Sequence, residues 1–341
     1  MVQNPLGLRG LEFVEFSTSQ PTPLHQLFVD FGFSKVERHP DKNIDLYRQN
    51  EITFLLNSES GSFGDAFQKL HGPSISAMGW RFDQPDEAFA EAVRRGARPV
   101  LRGDYDRTPA KSIPAIYGIG ESLIYFLPAE TRFELQKIQD PILVQEKGFL
   151  RIDHLTNNVY KGTMSEWAKF YQDIFGFRPV RHFDIKGKKT GLMSFALRSP
   201  CEQFCIPINE ADEAKSQINE FLDEYRGPGI QHLAFLTRNL VESLRAMQNT
   251  GIKMLDIAPG YYETAFRRVP GLREDKKDIR ELHILVDGDD EGYLLQIFTK
   301  NLVGPIFIEL IQRENHLSFG EGNFQALFDS IERDQMKRGV L

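Results

Sequence analysis

Cysteine is scarce in this chain: two residues in 341, Cys201 and Cys205. That is too few for a disulfide framework, and with no His or Cys close by in sequence the pair makes a poor zinc site. Both read as ordinary reduced thiols. Basic residues are not in excess. Lys and Arg number 41 against 48 Asp and Glu, a formal net charge of -7. The phosphate-neutralising surface of a nucleic-acid binder is therefore not expected. No apolar run approaches the roughly 18 residues of a membrane-spanning helix. The N-terminus, Met1-Val2-Gln3-Asn4-Pro5, has neither a charged n-region nor an apolar h-region, so no signal peptide is read and the cytoplasm is the expected compartment. Tryptophan is rare as well, at 2, but phenylalanine is abundant at 27. Most of these rings must be core, and some are candidates for a pocket wall. The length suffices for two domains, each with its own core.

Among what is present, the run Gly304-Pro305-Ile306-Phe307-Ile308-Glu309-Leu310-Ile311-Gln312-Arg313 reads as a buried strand opened by Gly-Pro. Glu309 sits in its middle. A carboxylate there costs several kcal/mol in lost hydration unless it is protonated, paired or bound to a metal. An Arg or Lys partner is the ordinary solution, but two other strands place a histidine where an apolar residue is expected.

These strands belong to an internal repeat. Leu8–Phe16 reads as a strand, followed by a helical pattern from Pro23 to Phe31 that stops at Gly32. Leu150–Thr156 reads likewise, followed by a helical pattern from Met164 to Phe175 that stops at Gly176, so that Phe31-Gly32-Phe33 matches Phe175-Gly176-Phe177. Further on, Gly72-Pro73 and Gly227-Pro228 each open a strand and then a helix. Such self-similarity decides architecture before any short motif does. The expected fold is α+β: a tandem duplication of βαβββ modules forming two open, curled β-sheet barrels with helices outside. The expected domains are residues 1–140, without metal, and 149–341, catalytic. Residues 128–149 are the expected linker.

Aligning the halves sets His154 opposite Glu12, His232 opposite Ala77 and Glu309 opposite Phe126. The first half then has no coherent ligand set. The second has two imidazoles and one carboxylate at nearly equal separations, which suits a divalent iron that keeps positions open for substrate and oxygen. Other candidates are weaker. Glu281-Leu282-His283 reads as a strand-edge pair lacking a third partner. Gly118-Ile119-Gly120 lacks the third glycine of a dinucleotide loop and reads as a turn. Gly320-Glu321-Gly322 reads as a hinge before an amphipathic helix, Asn323 to Met336, with Phe324, Leu327, Phe328 and Ile331 on one face. That helix is either core packing or a lid over the cavity.

Taken together, Asp153-His154-Leu155, Gly229-Ile230-Gln231-His232-Leu233-Ala234, Leu294-Leu295-Gln296-Ile297-Phe298-Thr299-Lys300, the Glu309 strand from Phe307 to Arg313, and Phe319-Gly320-Glu321-Gly322-Asn323-Phe324 resemble 4-hydroxyphenylpyruvate dioxygenases of the vicinal-oxygen-chelate superfamily. The match spans nearly the whole chain and is poorest from Leu197 to Cys205. The resemblance implies one Fe(II) per chain, held by His154, His232 and Glu309. It implies a substrate pocket built from Ser194, Asn209, Gln217, Gln296, Phe298, Phe307, Phe319 and Phe324, with Gln296 and Asn209 also serving catalysis. The implied reaction takes 4-hydroxyphenylpyruvate and O2 to homogentisate and CO2 in tyrosine and phenylalanine catabolism. The implied assembly is a homo-oligomer, dimer or tetramer, that binds neither nucleic acid nor membrane. Three rivals share the fold: a 4-hydroxymandelate synthase, a ring-cleaving extradiol dioxygenase, and a non-catalytic binding protein. Phenylalanine at each matched pocket position favours the homogentisate-forming reaction.

Overall fold

The structure is a computed structural model. It describes residues 4–101, 103–105, 113–128, 135–186, 191–211 and 216–338, without the side chains of 185, 186, 324, 325, 334, 335, 337 and 338. Two eight-stranded mixed sheets make up its frame. The first contains β1 (Leu8–Ser17), β2 (Ser34–Arg38), β3 (Ile44–Gln49), β4 (Ile52–Asn57), β5 (Ser74–Phe82), β6 (Ala115–Tyr117), β7 (Leu123–Pro128) and β8 (Gln136–Ile142). The second contains β9 (Phe149–Val159), β10 (Arg178–Lys186), β11 (Gly191–Arg198), β12 (Cys205–Ala211), β13 (Gly229–Thr237), β14 (Leu285–Gly288), β15 (Tyr293–Phe298) and β16 (Phe307–Glu314). Spatial order is β6-β7-β5-β1-β4-β3-β2-β8 in one and β10-β11-β12-β9-β13-β16-β15-β14 in the other. Read in opposite directions, the two orders match over seven strands, β2-β3-β4-β1-β5-β7-β6 on β10-β11-β12-β9-β13-β16-β15, so that β1 and β5 correspond to β9 and β13, while β8 and β14 are unmatched end strands. The α+β duplication expected from sequence is the observed architecture.

Nine α-helices are described: α1 (Pro21–Asp30), α2 (Phe63–His71), α3 (Pro85–Arg94), α4 (Met164–Phe170), α5 (Gln217–Tyr225), α6 (Leu240–Ala246), α7 (Tyr261–Arg268), α8 (Lys276–Glu281) and α9 (Phe324–Arg338). Their apolar stripes pack on the sheets. Trp80, fully buried, meets Phe175 of the other half at 4.9 Å between ring centroids and Phe204 at 5.4 Å, so the halves share a core. After α4 the chain continues through one π-turn, Tyr171–Phe175, before Gly176 stops it in the left-handed region.

Strand register corrects the sequence alignment of the halves. On β1, Phe13 pairs with Gly79 and Val14 with Met78; on β9, His154 pairs with Ala234 and Leu155 with Leu233. Tyr125 pairs with Gly79 just as Glu309 pairs with Ala234. The first-half counterparts of the histidine–histidine–carboxylate set are therefore Phe13, Ala77 and Tyr125, not Glu12, Ala77 and Phe126. A one-residue slip turns every side chain to the other face. Phe126 stacks on Phe82 in the main core, and Glu12 pairs with Arg81 at 3.4 Å.

The true counterparts close the first cavity with aromatic rings. Phe13 lies 6.1 Å from Tyr125 and 5.8 Å from Tyr105. Replacing Phe13, fully buried, by Ala is expected to cost about 3–5 kcal/mol, read by denaturant unfolding, with metal content of the protein unchanged.

Two further corrections concern local structure. The expected linker contains β8, which pairs antiparallel with β2. Glu281-Leu282-His283 is not a strand edge: Glu281 ends α8, and His283 lies in a turn at φ 57°.

Candidate metal centre

Three neighbouring strands, β9, β13 and β16, carry the candidate ligands. His154 and Glu309 both pair with Ala234, so the three residues form one row across the strands. His232 is two residues along β13 from Ala234, hence on the same face. Ala234 has almost no side chain, so the flanking imidazole and carboxylate can converge over it. Register shifts on β9 and β13 bracket the His232–Ala234 segment, and such bulges bend a strand and re-aim its side chains.

The donor atoms form a compact triangle. His154 Nε2 lies 3.1 Å from Glu309 Oε2, His232 Nε2 lies 3.4 Å from the same oxygen, and the two Nε2 atoms are 3.4 Å apart. Adjacent donors about 2.1 Å from one ion at right angles stand about 3 Å apart. Among the described residues this is the one group of three or more His, Cys, Asp or Glu side chains placed to hold a metal.

Each ligand is oriented by a second group, as metal ligands ordinarily are. His154 Nδ1 faces Asp153 Oδ2 at 2.8 Å, and His232 Nδ1 faces Gln231 Oε1 at 3.2 Å. With Nδ1–H donated to these oxygens, both Nε2 lone pairs are left for an ion. Glu309 turns Oε2 to the imidazoles, while its Oε1 accepts from Gln296 Nε2 at 3.0 Å. Arg313 grips Asp153 through two bonds, 2.9 and 2.8 Å. Its remaining nitrogen reaches the carbonyls of His316 and Ser318, just before Phe319. Without a metal, a proton on His154 must take the cation's place against Glu309 Oε2; two imidazoles and a carboxylate with these supports fit a divalent metal.

Protonation follows from the same contacts. Burial disfavours the His154 imidazolium, but Glu309 and Asp153 outweigh burial and hold its pKa at about 9. Burial alone would raise Glu309, yet the imidazoles of His154 and His232 bring it down to about 2. Burial keeps His232 below its ordinary value despite Glu309. Burial also opposes ionisation of Asp153, and Arg313 and His154 overcome it to hold that carboxyl far below the usual range. Between pH 6.5 and 8, therefore, one proton must leave His154 when a metal binds. Apparent affinity is expected to fall about tenfold per pH unit on acidification in this window. Anaerobic titrations with Fe(II) or Co(II) at two pH values check this, and pH-independent binding would show that His154 carries no proton to displace.

The triangle faces a cavity of about 690 Å³, its open mouth included. Ser194, Asn209, Gln217, Gln296, Phe298, Phe307 and Phe319 all line it. The side chain of Phe324 lies outside the described residues. Phe307 stacks on His232 at 4.7 Å, and Phe319 meets His154 edge-on at 5.4 Å. Gln296 lies beside the metal set: its amide donates to Glu309 and accepts from Asn323 Nδ2 at 2.8 Å. Asn209 belongs to another wall. Cys205 pairs with His154, and Asn209 is four residues further along β12, about 13 Å of strand. There it donates to Asn158 at 3.3 Å and pairs with Ser194.

Sequence reasoning did not single out Gln231 or Asn323, though both stood inside quoted motifs. Asn323 Oδ1 accepts from the Tyr261 hydroxyl at 2.5 Å and from Arg268 at 3.2 Å, so it ties the start of α9 to Gln296. Leu327, Phe328 and Ile331 of α9 complete the cavity's cover.

Comparison with known proteins agrees with this arrangement. The family model described as hydroxyphenylpyruvate dioxygenase, N-terminal, matches residues 2–139. That of the glyoxalase/bleomycin resistance protein/dioxygenase superfamily matches residues 151–295. Protein MelA of Shewanella colwelliana is 56% identical, with 99% of each chain covered. The 4-hydroxyphenylpyruvate dioxygenase of Legionella pneumophila subsp. pneumophila is 43% identical, covering 99% of this chain and 98% of its own. Among solved structures, a triple mutant of 4-hydroxymandelate synthase from Streptomyces coelicolor superposes with a TM-score of 0.83 at 25% identity, over 96% of this chain and 99% of that one. With its fold, its cavity and its full-length relatives in agreement, the chain belongs to the hydroxyphenylpyruvate dioxygenase family.

Proposed function

We propose that the protein is an Fe(II)-dependent 4-hydroxyphenylpyruvate dioxygenase, converting 4-hydroxyphenylpyruvate and O2 to homogentisate and CO2 in cytoplasmic tyrosine and phenylalanine catabolism. The observation that carries this reading is the His154–His232–Glu309 triangle on the floor of a phenylalanine-walled cavity. Iron held there supplies a Lewis-acidic anchor for the 2-oxo acid and the means to activate O2. The chain's own residues do the rest. Phe298, Phe307 and Phe319 fix the aromatic ring, and that orientation decides which carbon is attacked. Gln296 holds the Glu309 carboxylate in place. Ser194 and Asn209, further along the sheet, receive the phenol. Leu327, Phe328 and Ile331 keep water out.

The test is anaerobic Fe(II) reconstitution followed by product analysis with 4-hydroxyphenylpyruvate and O2. Homogentisate with equimolar CO2 supports the reading. The resemblance to a solved 4-hydroxymandelate synthase variant supports a second reading, in which the benzylic carbon is hydroxylated and 4-hydroxymandelate forms. Consumption of a catechol but not of the 2-oxo acid would overturn both.

Asn209→Ala is expected to lower kcat/KM for 4-hydroxyphenylpyruvate about tenfold more than for phenylpyruvate, the worth of one lost hydrogen bond to the phenol. Gln296→Leu should harm both substrates alike, because its amide serves Glu309 and Asn323. Equal losses for both substrates in Asn209→Ala would place the phenol elsewhere.

A further inference from the structure

The Glu309 carboxylate is held from behind by a run of buried polar groups that leads away from the metal set. Glu309 Oε1 accepts from Gln296 Nε2 at 3.0 Å, Gln296 Oε1 accepts from Asn323 Nδ2 at 2.8 Å, and Asn323 Oδ1 accepts from the Tyr261 hydroxyl and from Arg268. Gln296 is 2% exposed and Asn323 1%. The two ends of the run fix its direction. An ionised Glu309 can only accept, and a guanidinium can only donate. Each amide between them therefore has one orientation that uses both of its ends.

The outer end is firmly anchored. Arg268, on α7, also donates to the Val286 carbonyl at 2.7 Å and pairs with Asp287 at 3.1 Å. Asp287 in turn accepts from the Gly322 N–H at 2.8 Å, one residue before Asn323. Gly320 closes on the Gln296 amide so tightly that a Cβ there would stand 1.9 Å from Oε1. A carboxylate can bind a metal through one oxygen or two. Here Oε2 faces the imidazoles at 3.1 and 3.4 Å, while Oε1 is turned to Gln296. Three protein donors on one face of an octahedral ion leave three positions. A 2-oxo acid bound through its carboxylate and keto oxygen takes two of them, and O2 needs the third. A second oxygen from Glu309 would fill it.

We propose that Asn323 and Gln296, anchored on α7 by Tyr261 and Arg268, hold Glu309 as a one-oxygen ligand and so keep a position open for O2 beside a chelating 2-oxo acid. The count of positions rests on the functional reading above. Tyr261 and Arg268 act through Asn323 and are positioning residues. Asn323 immediately precedes α9, so the seat of the cover helix is part of the metal site. Without a donor at that point, Gln296 loses the partner that fixes its amide. Oε1 of Glu309 is then released and drawn to the cation.

The experiment uses the full chain, iron-loaded without O2, as wild type, Asn323→Asp and Asn323→Leu. Both substitutions leave the three ligands in place, and neither offers Gln296 Oε1 a donor. Asn323→Asp still accepts from Tyr261 and Arg268, whereas Asn323→Leu adds no charge. With carbon-13 glutamate, infrared difference spectra between iron-loaded and iron-free protein read the separation of the two carboxylate stretches, wide for one bound oxygen and narrow for two. The expected result is a wide separation in the wild type and a narrow one in both variants, with iron content unchanged. In the complex with 4-hydroxyphenylpyruvate, affinity for nitric oxide, a probe of the remaining position, is expected to fall about tenfold in both variants. A narrow separation in the wild type, or a wide one in both variants, overturns the proposal. So does nitric oxide bound as tightly by the variants as by the wild type. Loss of iron from both variants also overturns it, because Asn323 would then sustain ligand binding itself rather than its mode. A wild type that does not bind 4-hydroxyphenylpyruvate overturns the functional reading, while the infrared result still decides how Glu309 is held.

Discussion

Glu309→Ala, His154→Ala and His232→Ala are each expected to lose iron and all turnover above background while the chain stays folded. Each removes one corner of a triangle whose edges are 3.1 to 3.4 Å, and a three-ligand site has no spare donor to replace it. Glu309 should be the most severe. Among the described residues it is the one carboxylate in contact with both imidazoles, and it would offset the charge of an ion held there. The fold should survive, because the row His154, Ala234, Glu309 is held by backbone pairing on either side of β13. Loss of Glu309 also removes the larger of the two influences that keep His154 protonated, and Asp153 stays paired with Arg313. Supporting residues give the contrast. Asp153→Asn and Gln231→Leu leave all three donors present and are expected to weaken metal affinity by about 10–100-fold rather than abolish it. Iron content, measured by elemental analysis after desalting, ranks the set. Wild-type iron and rate in Glu309→Ala would put the site elsewhere.

The ligands were legible in the sequence because each is a polar residue in a strand that otherwise reads as core, and the repeat placed them at matching points. The register of the first half was not legible to the last residue. Leu11-Glu12-Phe13 can be laid on Asp153-His154 one step either way, and only the pairing of Phe13 with Gly79 decides it. Gly79 is itself informative: a Cβ there would stand 2.3 Å from the Phe13 ring, so the rings that fill the first cavity need this glycine. Gln231 and Asn323 escaped notice for a different reason. A glutamine next to a histidine and an asparagine ahead of a helix have ordinary local uses, and only tertiary contact gives them another. The glycines at 320 and 322, read as a hinge, are close-approach positions. A Cβ on Gly320, at φ +79°, would lie 1.9 Å from Gln296 Oε1, and one on Gly322 would lie 2.2 Å from Asp287. The start of α9 is thus tightly fitted, and any opening must occur beyond Asn323.

That fit determines how the role of α9 should be tested. Removing everything from residue 318 would delete Phe319, which packs on His154, and Asn323, which steadies Gln296. Ending the chain after Asn323 spares the ligands and their supports and removes Phe324 together with the cover: Leu327, Phe328 and Ile331 inside, with the bonds from Ser330 and Arg333 to the Asp256 carbonyl outside. This truncation is expected to retain iron. Stability should fall, since each lost apolar side chain is worth about 1.5–3 kcal/mol when fully buried, and of the three only Phe328 is, at 3% exposure. The larger effect is expected in coupling. O2 and the 2-oxo acid should still be consumed, but homogentisate formed per O2 should drop well below the wild-type ratio, because water and external reductant now reach a reaction the intact cavity keeps dry. Phe328→Ala should move the ratio in the same direction and less far. If α9 were packing alone, the folded, iron-loaded fraction of the truncated chain would couple O2 to product as the wild type does, with only its melting temperature lowered. Product per O2 measured on that fraction separates the two roles, and an unchanged ratio would leave α9 as part of the core and move the exclusion of water to the phenylalanine wall.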